Sequence, residues 1–153
     1  MGIETLHFIM INNKIFRNNQ IHLDKALKKF DLSSGLMPYL FILEKNEGVS
    51  LHQLSTKIGN DKAMTTRTIK RLIELDYVYK IGKEGDCRAY QLYLTKKSKA
   101  VMPQILKEIQ MIVDLITVDL SAEEKKITMA ALKKISMRTQ QLRDEEEVYG
   151  KNV

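Results

Sequence analysis

Residues 61–95 read DKAMTTRTIKRLIELDYVYKIGKEGDCRAYQLYLT, a basic helix followed by two short strands around a charged loop. Asp61, or Asn60 before it, offers the short acceptor side chain that satisfies first-turn amides. Thr65, Ile69, Leu72, Ile73 and Asp76 then fall on one side at helical spacing, and the apolar members define an inward stripe. Met64, Arg67, Lys70, Arg71 and Glu74 fall opposite. Cations on one face also suit a helix that is merely solvated. The threonines tip the balance. Thr65, Thr66 and Thr68 are poor helix formers, and they occupy the first half of the helix. A helix entering a major groove presents its donors from that half.

Tyr77–Ile81 and Tyr90–Leu94 are rich in β-branched and aromatic residues and read as strands. The loop between them, Gly82 to Arg88, has the glycines and charges of an exposed hairpin tip. Arg88 suits a narrow minor groove, whose concentrated negative potential favours a guanidinium. Asp86, two residues earlier, is placed to orient the Arg88 fork. After a basic helix this hairpin reads as a wing; alone it reads equally well as a solubilising loop.

Charge supports the same centre. The net charge is +6, from 25 cations and 19 anions. Residues 51–100 hold 11 cations and 5 anions, whereas residues 1–50 hold 6 and 5, and residues 101–153 hold 8 and 9. The excess therefore sits with the helix and hairpin, as an electrostatic footprint for phosphate does. Lys62, Lys70, Arg71 and Lys83 are expected mainly to neutralise phosphates.

Outward from the centre, residues 34–46 read as a helix capped by Ser33 or Ser34, with Pro38 near its first turn. Gly48 to Ser50 makes an extended link. Ser50 caps a helix bearing Leu51, Leu54 and Ile58 that ends at Gly59. This helix and the basic one form a helix-turn-helix pair. Thr95 caps a long helix reaching about Leu120, with Ile105, Ile109, Ile112 and Ile116 on one face and Pro103 expected to bend it. Ser121 with Glu124 forms a capping box for another, carrying Ile127, Ala131, Ile135 and Leu142. Leu6, Met10, Phe16, Leu23 and Leu27 imply one or two further turns of helix at the front. A 25-residue helix is roughly 37 Å long, more than one small core can cover. A second copy of the chain is the simplest cover, so a twofold dimer is expected.

Thr66-Arg67, Leu72, Tyr77-Val78, Asp86 with Arg88, and Leu94-Thr95 stand in the order and spacing of the MarR (multiple antibiotic resistance regulator) family, which the chain resembles over nearly its whole length. It departs from that pattern at Asp76 and Ser98, where glycine is frequent, and at Lys80 and Cys87, where arginine is. The resemblance implies a mainly α fold: a winged helix-turn-helix over residues 33–94, with helical dimerisation regions at 1–32 and 95–147, integrated as one domain. It further implies a repressor of double-stranded DNA acting at a pseudo-palindromic operator, read by Lys62, Thr65, Thr66, Arg67, Lys70 and Arg71, with Lys83, Asp86 and Arg88 on the wing. It also implies an apolar pocket for a small lipophilic or aromatic effector, to which Met10, Met37 and Phe41 are assigned.

Other chemistry is thinly supported. His7, His22 and His52 are scattered, with no HExxH or CxxC spacing. Neither a catalytic group nor a cofactor is expected, and an enzyme is disfavoured. Zinc- and peroxide-responsive subgroups of the family leave metal sensing by the histidines, or redox sensing by Cys87, as alternatives. A winged helix serving as a protein–protein module is another. No apolar run reaches eighteen residues, so no membrane span is expected. The N-terminus lacks the features of a secretion signal, and the single cysteine fits a reducing cytoplasm.

Overall fold

The computed structural model describes residues 2–82 and 90–150, with side chains from 3 to 82 and 90 to 146. Lys83, Asp86, Cys87 and Arg88 lie outside the described residues. The order of elements is α1 (Gly2–Leu27), a 3-10 turn (Lys28–Phe30), α2 (Met37–Lys45), β1 (Val49–Ser50), α3 (Leu51–Ile58), α4 (Lys62–Glu74), β2 (Val78–Ile81), β3 (Gln91–Leu94), α5 (Lys96–Ile116) and α6 (Ala122–Gly150). Two compact units, residues 1–112 and 113–153, divide the chain within α5. The fold is mainly helical with a small antiparallel sheet, as the sequence implies.

Capping sets most element boundaries. Ser50 Oγ accepts from the Gln53 amide at 3.2 Å, while Gln53 Oε1 accepts from the Ser50 amide at 2.8 Å, a reciprocal capping box. Gly59 closes α3 at φ +74°, a left-handed turn that glycine adopts without steric cost. Thr95 Oγ1 accepts from the Ser98 amide at 3.0 Å and opens α5. Ser121 and Glu124 form the expected box at the start of α6.

Three expectations need correcting. Neither Ser33 nor Ser34 caps α2; that helix starts later, at Met37, behind Leu36. The Ser34 amide instead donates to Asp24 Oδ1 at 2.6 Å. The Val49–Ser50 link is a true strand, placed by its pairing with β3 in the order β1-β3-β2. The front of the chain is one continuous 26-residue helix rather than short turns.

In the first unit, α2, α3, α4 and the sheet enclose one core. Leu40 and Leu43 of α2, Leu54 of α3, Ile69 and Leu72 of α4, and Val78, Leu92 and Leu94 of the strands are all buried in it. Leu27, Met102 and Ile105 close the cluster. Only the C-terminal end of α1 takes part, through Leu23 and Leu27. Further forward, Ile3, Leu6, Phe8, Ile9, Met10, Ile11, Ile15 and Phe16 are each at least half exposed. In the second unit Ile127, Met129, Leu132, Met137 and Leu142 of α6 are likewise exposed. Solvated monomers rarely show apolar surface on this scale.

Glu47 ties the sheet to α5. Its Oε1 accepts from the Leu94 amide at 3.0 Å and its Oε2 pairs with Lys99 Nζ at 3.0 Å. Burial alone would raise its pKa, but the bonds from Lys99 and Leu94 outweigh it, and the carboxyl sits below its ordinary value. A depressed carboxyl pKa contributes stability that is present above the unfolded value and lost as pH falls through the folded one. Glu47→Gln should therefore cost about 1 kcal/mol near neutrality. The difference should shrink below about pH 4. Urea titrations of both proteins at several pH values check this.

Candidate nucleic-acid interface

Asp61 starts α4: its Oδ1 accepts from the Met64 amide at 2.7 Å. The helix is strongly two-faced. Thr65, Ile69 and Leu72 point into the core, while Lys62, Thr66, Arg67, Lys70 and Arg71 are exposed. Thr66 donates its hydroxyl to the Lys62 carbonyl at 2.7 Å, which leaves its oxygen lone pairs outward. Arg71 is partly occupied by Glu74 at 3.3 Å. Among the described residues, Lys62, Arg67 and Lys70 have no acidic partner within 4.0 Å. An unneutralised cationic face at the start of a helix is suited to polyanions.

Thr65 does not belong to that face. Its side chain is fully buried, one turn before Ile69, and its Oγ1 has no hydrogen-bond partner. The helical phase that puts Arg67 outside puts Thr65 inside, so it cannot touch DNA. Thr65→Val keeps the shape and removes an unpaired buried hydroxyl. It should raise stability by about 1 kcal/mol and leave DNA affinity unchanged; thermal melts and a shift assay test both halves.

The other end of α4 is anchored by contacts that sequence spacing does not reveal. Asp76 ends the turn at φ +60°, the left-handed conformation that glycine would adopt more easily. Thr95 Oγ1 donates to the Asp76 carbonyl at 2.7 Å, and Lys97 Nζ donates to the Leu75 carbonyl at 2.7 Å while lying 4.6 Å from the Tyr77 ring centre. Tyr77 donates its hydroxyl to the Phe30 carbonyl at 2.7 Å. Burial, then the Asp31 carboxylate, hold this phenol above its ordinary pKa, so it stays a donor.

Two grooves flank α4. One, about 460 Å³, is lined by Leu51, Thr66, Ile69, Lys70, Ile73, Glu74, Lys80, Tyr90 and Leu92. The other, about 610 Å³, runs between α1 and the start of α4 and includes Phe16, Leu23, Tyr39, Asn60, Met64 and Thr68. Neither is lined by the residues assigned to a pocket from sequence. Met37 is consumed by the core, Phe41 packs half-buried against it, and Met10 is 55% exposed on α1. The assignment fails because it followed residue type alone; the residues that line both grooves include polar ones. Among the described residues no three His, Cys, Asp or Glu side chains gather as metal ligands, and no helix is long and apolar enough to cross a membrane.

The pattern of the MarR family matches residues 32–90, from the end of the 3-10 turn to the start of β3. The HTH-type transcriptional regulator BilQ of Clostridioides difficile (strain CD3) is 40% identical over 102 residues, 67% of this chain and 68% of that protein. The chain belongs to the MarR family. Its relatives are transcriptional regulators rather than enzymes, and this MarR protein is a transcriptional regulator of the winged helix-turn-helix type. A MarR protein from Peptoclostridium difficile superposes with a TM-score of 0.79 at 28% identity, covering 92% of this chain and 90% of that one. An Escherichia coli MarR variant solved with operator DNA has the same fold, with a TM-score of 0.76 at 20% identity over 86% and 95% of the two chains.

Proposed function

We propose that the chain is a homodimeric, sequence-specific repressor that occupies a pseudo-palindromic double-stranded operator in the cytoplasm and is released by a small lipophilic or aromatic ligand. The observation that carries this reading is the exposed Lys62, Arg67, Lys70 and Arg71 face around a capped helix start. Arg67 and Thr66 are placed to address base edges, and Lys62, Lys70 and Arg71 to hold phosphates. Sequence alone adds Lys83 and the Asp86–Arg88 pair as the wing's contribution in the adjoining minor groove.

Dimerisation is supported by the apolar surface of α1 and α6, for which a second copy through residues 1–32 and 95–147 is the simplest cover. Two copies of α4 then meet successive major grooves about 34 Å apart. Release by a ligand is supported by the 610 Å³ groove, whose size suits a small molecule and whose wall includes Met64 and Thr68 of α4. A ligand that fits one setting of α4 better than another shifts the population between them.

Selection of bound sequences from a random duplex pool tests the reading. The expected result is two inverted half-sites about one helical turn apart. Enrichment of a lone, unpaired motif would contradict the dimer, and no enrichment would contradict sequence reading.

A further inference from the structure

Asn60 is the residue just before the cap of α4, and it is held from two directions. Its carbonyl accepts from Ser55 Oγ of α3 at 2.9 Å. Its side-chain Nδ2 donates to the Tyr39 hydroxyl of α2 at 2.9 Å. Tyr39 itself is almost fully buried, so its hydroxyl is a fixed point of the core. The turn that aims α4 is thus set partly by a helix outside the helix-turn-helix pair. Apolar packing along Ile69 and Leu72 is non-directional, and a hydrogen bond is not.

The two ends of α4 differ in what holds them. Lys97, Thr95 and Tyr77 secure its C-terminal end to α5 and to the 3-10 turn after α1. With that end fixed, slack appears at the N-terminal end, where bases would be read. A 13-residue helix is about 20 Å long, so a tilt of roughly 5° moves its free end by about 1.7 Å, more than the ~0.5 Å window of a good hydrogen bond.

We infer that Tyr39 and Asn60 are positioning residues for base reading, their hydrogen bond setting the direction in which the first turn of α4 meets the major groove. This rests on the DNA reading proposed above. Phosphate contacts tolerate a small tilt and base contacts do not, so losing the bond lowers discrimination more than overall DNA affinity.

Tyr39→Phe keeps the ring in the core and removes the acceptor. Its affinity for the selected operator should fall about tenfold, with less than about a twofold change on random duplex of equal length. The thermal midpoint should stay close to that of the unaltered protein. Asn60→Ala should act alike, and the double variant should be no worse than Tyr39→Phe alone, because both remove one interaction. An unchanged ratio of operator to random affinity, equal losses on both duplexes, or losses that add in the double variant would overturn the inference. Should Tyr39→Phe fold poorly, Asn60→Ala in the half-buried turn carries the same comparison. Absence of any operator preference in the unaltered protein would instead refute the DNA-reading proposal, a separate outcome.

Discussion

Arg67→Ala is expected to weaken binding to the selected operator by about 1–3 kcal/mol and to relax specificity at one base pair in each half-site. Arg67 differs from its neighbours in what it lacks. Arg71 shares its guanidinium with Glu74, whereas Arg67 is exposed and meets no carboxylate among the described residues. Its five donors are therefore available as a fork, the geometry that matches the O6 and N7 acceptors of guanine. Lys70→Ala should behave otherwise, weakening operator and random duplex alike and reducing the salt slope by about 1. Competition titrations against operators altered at single positions distinguish the two. If Arg67→Ala loses affinity evenly across every sequence, Arg67 holds phosphate and the base-reading role passes elsewhere on α4.

The largest effect on stability is expected from Leu72→Ala, about 3–5 kcal/mol. Leu72 is fully buried at the centre of the inward stripe of α4, in the same cluster as Leu40, Leu43 and Leu54. Those neighbours come from three helices whose mutual packing leaves little room to collapse into the hole. The lost contacts and the remaining cavity therefore both count. Met64→Ala on the exposed side should change stability by no more than about 0.5 kcal/mol. Urea unfolding at matched protein concentration, which a dimer requires, measures the pair. A cost below about 1 kcal/mol for Leu72→Ala would mean that α4 is not seated as described.

Local chemistry made much of this fold legible. Ser50 with Gln53, Gly59, Asp61, Thr95, and Ser121 with Glu124 act where their side chains suggest, because capping involves only neighbours in sequence. The phase of α4 is also readable from Ile69 and Leu72, and it already places Thr65 inside. Assigning Thr65 to DNA as well followed its residue type against that phase. The start of α2 was misjudged because Ser34 is drawn to Asp24, ten residues earlier. The contacts that aim α4 were invisible for the same reason: Tyr39 lies 21 residues from Asn60, and Tyr77 lies 47 residues from Phe30. No periodicity in a sequence encodes such pairs.

Dependence of operator affinity on salt reports most directly on the claim that paired copies of α4 bind through unneutralised cations. Counting Lys62, Lys70 and Arg71 from each of two protomers gives about six phosphate contacts, hence a log–log slope near −5. Affinity should then fall by about a thousandfold between 50 and 200 mM salt. A slope near zero, or one near half that value from a complex with a single 17.7 kDa chain, would contradict it.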